Sequence, residues 1–167
     1  LQEGEKVGIL GINGTGKSTL LKMIAGLEEA DEGTRTVANH VFIQYLPQNP
    51  QFAEEKTTLE CVLGGYDAGL GGKNGVGSNQ MEEAWDMEGQ AKSMLHTLGI
   101  TDFSQKISEL SGGQKKRVAL AAVLLRKCDI LILDEPTNHL DHAMAAWLEN
   151  YLKGFRGSLI MVTHDRY

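Results

Sequence analysis

Lys6-Val7-Gly8-Ile9-Leu10-Gly11-Ile12-Asn13-Gly14-Thr15-Gly16-Lys17-Ser18 is the stretch on which the fold turns. A short β-type apolar run, Lys6 to Leu10, ends in a glycine-rich turn, and helical spacing takes over from Lys17 to Ala25. Gly11-x-x-x-x-Gly16-Lys17-Ser18 is a complete P-loop, set between a strand and a helix N-terminus, where a phosphate cradle has to be. Glycines let successive backbone N–H groups curl round a phosphate, and the helix dipole adds partial positive charge at the same point. Lys17 is expected to reach the β- and γ-phosphates of a nucleotide. Ser18 is expected to offer its hydroxyl to Mg²⁺, a cation that takes few protein oxygens and completes its shell with phosphate and water.

Reading on from this loop, a polar turn, Glu28 to Gly33, leads into two β-rich runs, Thr34–Ala38 and Val41–Leu46, which are predicted to pair as antiparallel strands. Pro47 stops the second. Thr57 or Thr58 is placed to cap a short helix through Leu63, and the glycines from Gly64 to Gly77 then carry no apolar periodicity, which reads as a flexible loop. Apolar residues at helical spacing predict an amphipathic helix over Met81–Leu98, with Gly99 as its C-cap and its Met and Trp face assigned to core packing. A second helix is predicted over Gly113–Leu125, with Arg126 and Lys127 set against its negative end. Ile130–Leu133 is continuous and apolar, as a strand buried on both faces would be. A helix from His142 to Lys153 and a strand from Ser158 to Val162 complete a βαβ rhythm. The fold class that follows is α/β of the P-loop NTPase type, a mainly parallel sheet flanked by helices, with a small antiparallel β part and an inserted helical subdomain over 60–125.

Composition narrows the function classes. The 167 residues, 41% hydrophobic, describe one domain with a core, and a formal net charge of −6 removes any overall basic excess that would advertise nucleic-acid binding. The longest apolar run, Val118 to Leu125, falls far short of the roughly 20 residues that span a bilayer. Cys61 and Cys128 are too few and too far apart for a disulfide framework or zinc cluster, and read as reduced thiols of a cytoplasmic protein. The chain starts at Leu1 rather than Met and stops at Tyr167, directly after a strand-like run, so it is expected to be a fragment.

Asp134 and Glu135 follow the apolar run Ile130–Leu133 and so emerge at the carboxyl end of a sheet strand, where ligands bind in open α/β folds. Asp134 is the expected metal-side carboxylate. Glu135, beside a P-loop, is the natural general base or water-orienting group for attack on a γ-phosphate. His164 also ends a strand and is placed to contact the γ-phosphate, although a lone histidine reads more readily as a partly exposed hydrogen-bonding residue. Gln48, just after Leu46-Pro47, has an amide that would reach Mg²⁺ or the attacking water; taken alone it is an ordinary turn glutamine. Leu110-Ser111-Gly112-Gly113-Gln114 reads as a second phosphate-binding helix start, with Ser111 as N-cap, and need not face this chain's own P-loop. Lys115-Lys116-Arg117 reads as a solvated helix face.

Gly11 to Ser18, Gln48, Leu110 to Gln114, Asp134-Glu135 and His164 together resemble, in order and spacing, the motifs of ATP-binding cassette (ABC) ATPase domains, and the resemblance covers nearly the whole chain. Within that family, Glu135-Pro136-Thr137-Asn138-His139-Leu140-Asp141 and Thr163-His164-Asp165-Arg166-Tyr167 look like the ABC-F subfamily; transporter ATPases typically carry Ser-Ala in place of Asn138-His139. The resemblance implies a single ABC domain over 1–167, truncated at both ends, that closes head to tail on a second ABC domain in the same chain or on a second copy. ATP would lie between the P-loop of one and the LSGGQ of the other. It implies a nucleotide site of Asn13, Gly14, Thr15, Gly16, Lys17, Ser18 and Thr19, with Ser111, Gly112, Gly113 and Gln114 serving the partner's ATP. Ser18, Gln48 and Asp134 would surround Mg²⁺, Glu135 would be the base, His164 a switch, and Asp141 a domain contact.

Characterised ABC-F proteins have no membrane-spanning domains and act on ribosomes in translation or antibiotic protection, so the resemblance implies a cytoplasmic ATPase whose RNA contacts lie outside this stretch. The family's adenine-stacking aromatic would fall upstream of Leu1, and the Gly64–Gly77 stretch replaces a segment that in relatives is more charged and helical. The alternative is the ATP-hydrolysing subunit of a membrane transporter. A module that binds ATP without hydrolysis is disfavoured by Glu135.

Overall fold

The computed structural model describes residues 1–11, 14–64 and 80–163, with backbone alone for 80–85. Asn13, His164 and most of the glycine stretch therefore lie outside the described residues. The elements run β1 (Lys6–Ile9), α1 (Lys17–Ala25), β2 (Ile43–Leu46), α2 (Thr58–Gly64), α3 (Gln80–Thr97), a 3-10 turn at Ile107–Glu109, α4 (Gly112–Leu125), β3 (Ile130–Asp134), α5 (His142–Gly154) and β4 (Ser158–Val162). The four strands form one sheet in the order β1-β4-β3-β2, every pair parallel. All four therefore end at one edge of the sheet, and the P-loop, Gln48, Asp134-Glu135 and Thr163 follow those ends.

Side-chain alternation in the central strands separates two cores. Ile132, Ile160, Val162 and Tyr45 face α1 and pack with Leu21 and Ala25. Their neighbours Leu131, Leu133, Leu159 and Leu46 face the other way, into a larger cluster with α2, α3, α4 and α5. Burial on both faces explains why β3 is apolar without a break. Each fully buried Leu or Ile here contributes about 1.5–3 kcal/mol through area removed from water. α4 is apolar nearly all round, Val118 to Leu124 being buried, because it is wedged between the sheet and helices α2 and α3. The P-loop helix α1 and the LSGGQ helix α4 thus lie on opposite faces of the sheet.

The caps follow the sequence. Thr57 and Glu60 exchange backbone and side-chain hydrogen bonds at the start of α2, and these bonds hold the Glu60 carboxyl below its ordinary value. Gly99, at φ 74°, ends α3 in a Schellman turn, with its N–H on His96 and that of Ile100 on Leu95. Two expectations are corrected. Thr34–Ala38 forms no strand and 29–40 is exposed; Ile43–Leu46 pairs in parallel with β3 instead of in an antiparallel hairpin. Arg35 of that segment is drawn to the end of α1, where its Nε donates to the Ile24 carbonyl at 2.8 Å, while the apolar β3 gives Tyr45 and Leu46 a partner that buries both. Arg126, at the C-cap of α4, donates to the Leu63 carbonyl in the last turn of α2, at 3.1 Å.

Candidate active site

Among the described residues of the P-loop, the left-handed conformations fall on glycines. Gly14 and Gly16 both hold positive φ, 81° and 85°, and a Cβ at either would meet nothing within 4 Å, so the rim of the loop is open for a ligand to approach the backbone. Lys17 arches back across the loop and donates to the Gly11 carbonyl at 2.7 Å. Ser18 is half-buried, while Thr15 and Thr19 face solvent on either side.

Across the strand ends lies a carboxylate centre. Asp134 is 1% exposed, and both of its carboxylate oxygens are buried without a hydrogen-bond partner. A buried carboxylate with no donor in the protein is costly, and a bound cation is the chemistry that removes that cost. The Asp134 carboxylate thus fits a Mg²⁺ site, which needs one or two protein oxygens rather than a cage. Among the described residues no group of three or more His, Cys, Asp or Glu gathers into a self-sufficient metal site.

Glu135 is held differently. It is 6% exposed and sits at φ 49°, a left-handed conformation that costs a non-glycine residue of order 1–3 kcal/mol and gathers at functional sites. Its Oε2 accepts from Gln48 Nε2 at 3.1 Å and from Asn138 Nδ2 at 2.6 Å, and its N–H donates to the Val162 carbonyl at 3.0 Å. Taken alone in the sequence Gln48 is an ordinary turn glutamine, and only the family resemblance implies a place for it here; the structure brings its amide onto Glu135.

The LSGGQ segment starts α4 with a capping box: Ser111 Oγ accepts from the Gln114 N–H at 3.3 Å, and Gln114 Oε1 accepts from the Ser111 N–H at 2.9 Å. Ser111 and Gly112 are exposed. Gly113 is covered by His139, whose Cβ would stand 3.1 Å from a Cβ built there. Asp141 caps α5, its Oδ1 accepting from the Met144 N–H at 2.8 Å.

Lys115-Lys116-Arg117 is not a solvated face. Lys116 is 4% exposed and its Nζ donates to the Asp134 carbonyl at 3.3 Å, while Arg117 donates to the Leu98 carbonyl at 2.9 Å. Burial lowers the Lys116 pKa, against the opposing pull of the Asp134 and Glu135 charges. Helical spacing held the signal: Lys116 lies three, four and seven residues before Ala119, Leu120 and Val123, all of them buried. Burial pushes the Cys61 thiol up and drives that of Cys128 to about 12, with Asp129 adding to the second. A separate cavity of ≈ 260 Å³, lined by Lys6, Leu148, Leu152, Leu159 and Met161 among others, is apolar and holds none of the P-loop or carboxylate residues.

A family model described as ABC transporter matches residues 1–138. The chain belongs to the ABC transporter family. This ABC domain is an ATP-binding, ATPase-type domain. It is 41% identical to the uncharacterized ABC transporter ATP-binding protein YfmR of Bacillus subtilis, covering 100% of this chain and 30% of that protein. It is 37% identical to the energy-dependent translational throttle protein EttA of Escherichia coli, an ABC-F protein, covering 98% of this chain and 34% of that one. The chain thus spans about a third of the length of these relatives. Among solved structures, a post-hydrolysis dimer of the ATP-binding cassette MJ0796 bound to ADP and Pi superposes with a TM-score of 0.79 at 27% identity over 99% of this chain and 77% of that one. Archaeal ribosome recycling factor aABCE1, in complex with ribosomal stalk protein aP1, superposes at 0.72 with 35% identity over 99% and 30%. No helix of the described residues is long and apolar enough to cross a membrane.

Proposed function

We propose that this ABC domain is the ATP-hydrolysing half-site of an ABC-F type protein acting on the ribosome in the cytoplasm, as a translation factor or in antibiotic protection. The observation that carries the hydrolytic part is the Glu135 carboxylate, buried at the strand ends beside the orphaned Asp134 and fixed by Gln48 and Asn138. Lys17 and the loop amides from Asn13 to Thr19 bind the phosphates. Ser18, Gln48 and Asp134 would hold Mg²⁺, which would supply positive charge to the triphosphate. Glu135 takes a proton from water as the water oxygen bonds to the γ-phosphorus; the bond from that phosphorus to the β–γ bridging oxygen breaks, ADP leaves, and phosphate is released. His164 serves as switch.

Ser111, Gly112, Gly113 and Gln114 cap an ATP held by a second ABC domain, in the same chain or in a second copy. Support for this is that α1 and α4 lie on opposite faces of the sheet, with Ser111 and Gly112 exposed. α2, α3 and α4 form the helical subdomain, over 60–125. The ribosome part rests on the kinship with the translational throttle protein and the recycling factor, and on Asn138 and His139 at positions where transporter domains carry Ser-Ala. RNA contacts then lie outside these residues. A transporter subunit is the second reading, supported by the match of residues 1–138 to the family model described as ABC transporter. Co-sedimentation of the intact protein carrying Glu135→Gln with purified ribosomes, with and without ATP, separates them. ATP-dependent pelleting at physiological salt is expected; no pelleting with ATP binding intact favours the transporter.

A further inference from the structure

The peptide joining Asp134 to Glu135 is gripped from two sides. Its N–H donates to the Val162 carbonyl of β4 at 3.0 Å, and its carbonyl accepts from Lys116 Nζ of α4 at 3.3 Å. This peptide is the one about which Glu135 turns to its positive φ of 49°. A lysine 4% exposed costs free energy unless its charge is answered, and the charges facing it are the carboxylates of Asp134 and Glu135, themselves 1% and 6% exposed. Lys116 also lies in the second turn of the helix that Ser111 caps. The ammonium therefore stands behind the carboxylate pair, attached to the helix whose first residues point outward.

We infer that Lys116 is a positioning residue for ATP hydrolysis: its buried ammonium fixes the Asp134–Glu135 peptide, keeps the Glu135 carboxylate aimed at the attacking water, and ties that aim to the position of α4. The inference rests on Glu135 being the base. An uncharged residue of similar length leaves the Asp134 carbonyl without its donor and two buried carboxylates without their cation, so the strained turn at Glu135 relaxes. Misplacement by an ångström or so at a reacting group costs up to about a hundredfold in rate, whereas the phosphate-binding loop, which leads into α1 on the other face of the sheet, keeps its contacts.

The test is K116M, K116R and E135Q, with the K116M/E135Q double variant, in the intact protein, reading kcat, KM, ATP affinity by calorimetry and Tm. K116M is expected to lower kcat by about 10–100-fold with ATP affinity changed by less than about threefold, and K116R to recover most of the loss. In the double variant kcat is expected to match E135Q alone, because a base that is absent cannot be misaimed. A kcat for K116M within about twofold of the parent overturns the inference, as does a parallel loss of ATP affinity and Tm, or no recovery in K116R. Near-parental turnover in E135Q overturns instead the reading of Glu135 as base, whatever K116M does. If K116M does not fold, K116Q replaces it: at least about a threefold lower kcat at unchanged affinity supports the inference, and parental kcat overturns it.

Discussion

Asn138 Nδ2 donates to Oε2 of Glu135 at 2.6 Å, the same oxygen that accepts from Gln48 Nε2 at 3.1 Å. The residues lie three apart on a tight turn, in which the Asn138 N–H also donates to the Glu135 carbonyl at 3.3 Å. One carboxylate oxygen is thus fixed from both sides, and the direction of the carboxylate is set before any nucleotide arrives. A Ser-Ala pair at 138–139 has neither the reach to bond Glu135 nor the ring that covers Gly113.

Glu135→Gln is expected to retain ATP binding while slowing hydrolysis by about a hundredfold or more, the scale of losing a positioned base. Asn138→Ala acts through the same carboxylate and is expected to lower kcat by about tenfold with KM nearly unchanged, since it misaims the base without touching the phosphate loop. Steady-state kinetics of both variants, with ATP affinity by calorimetry, reads the outcome.

Lys17→Ala should act on binding first. Hydrogen bonds to charged groups contribute about 1.5–3 kcal/mol, which corresponds to a loss of about 10–100-fold in ATP affinity. Unchanged affinity by calorimetry would remove Lys17 from the phosphate site.

At Gly99 φ is 74°, a conformation that favours glycine, and a built Cβ would stand 2.7 Å from Met144 Cε and 2.9 Å from Arg117 Nη1, two flexible side-chain ends that would have to shift. Gly99→Ala is expected to destabilise the domain by about 1–2 kcal/mol from backbone conformation alone, with further cost as Arg117 shifts. Urea denaturation measures it, and a midpoint equal to that of the parent would contradict the αL assignment.

Alkaline pH should weaken the fold through Cys128. Burial raises its thiol from 9.0 to about 12, so the unfolded chain ionises first and the folded state binds the extra proton. The contribution is fully present below pH 9.0 and is lost as pH rises towards about 12. Tyr151, raised mainly by burial, shifts stability in the same direction, whereas Lys116, lowered by burial, opposes it. Comparing urea midpoints of the parent and Cys128→Ala across that range isolates the thiol: the variant should show the shallower decline.

The sequence by itself determined the parallel α/β architecture, the P-loop between β1 and α1, the carboxylates at the end of β3 and the caps at Ser111 and Gly99, and narrowed the start of α2 to Thr57 or Thr58. Each is a local matter, fixed by residues within a turn or two: apolar periodicity, glycine where φ must be positive, a hydroxyl or carboxylate one step before a helix. Tertiary structure decided what depends on partners far along the chain. Thr34–Ala38 has good β residues yet forms no strand, because strand pairing is set by what lies alongside, and Leu46 found β3. Lys116 reads as surface in a run of three cations, but the packing of α4 against the sheet buries it, and only the meeting of that helix with β3 puts its ammonium on the Asp134 carbonyl. The donation from Gln48 to Glu135 joins residues that follow the ends of neighbouring strands, 87 apart in sequence, a relation that no local spacing contains.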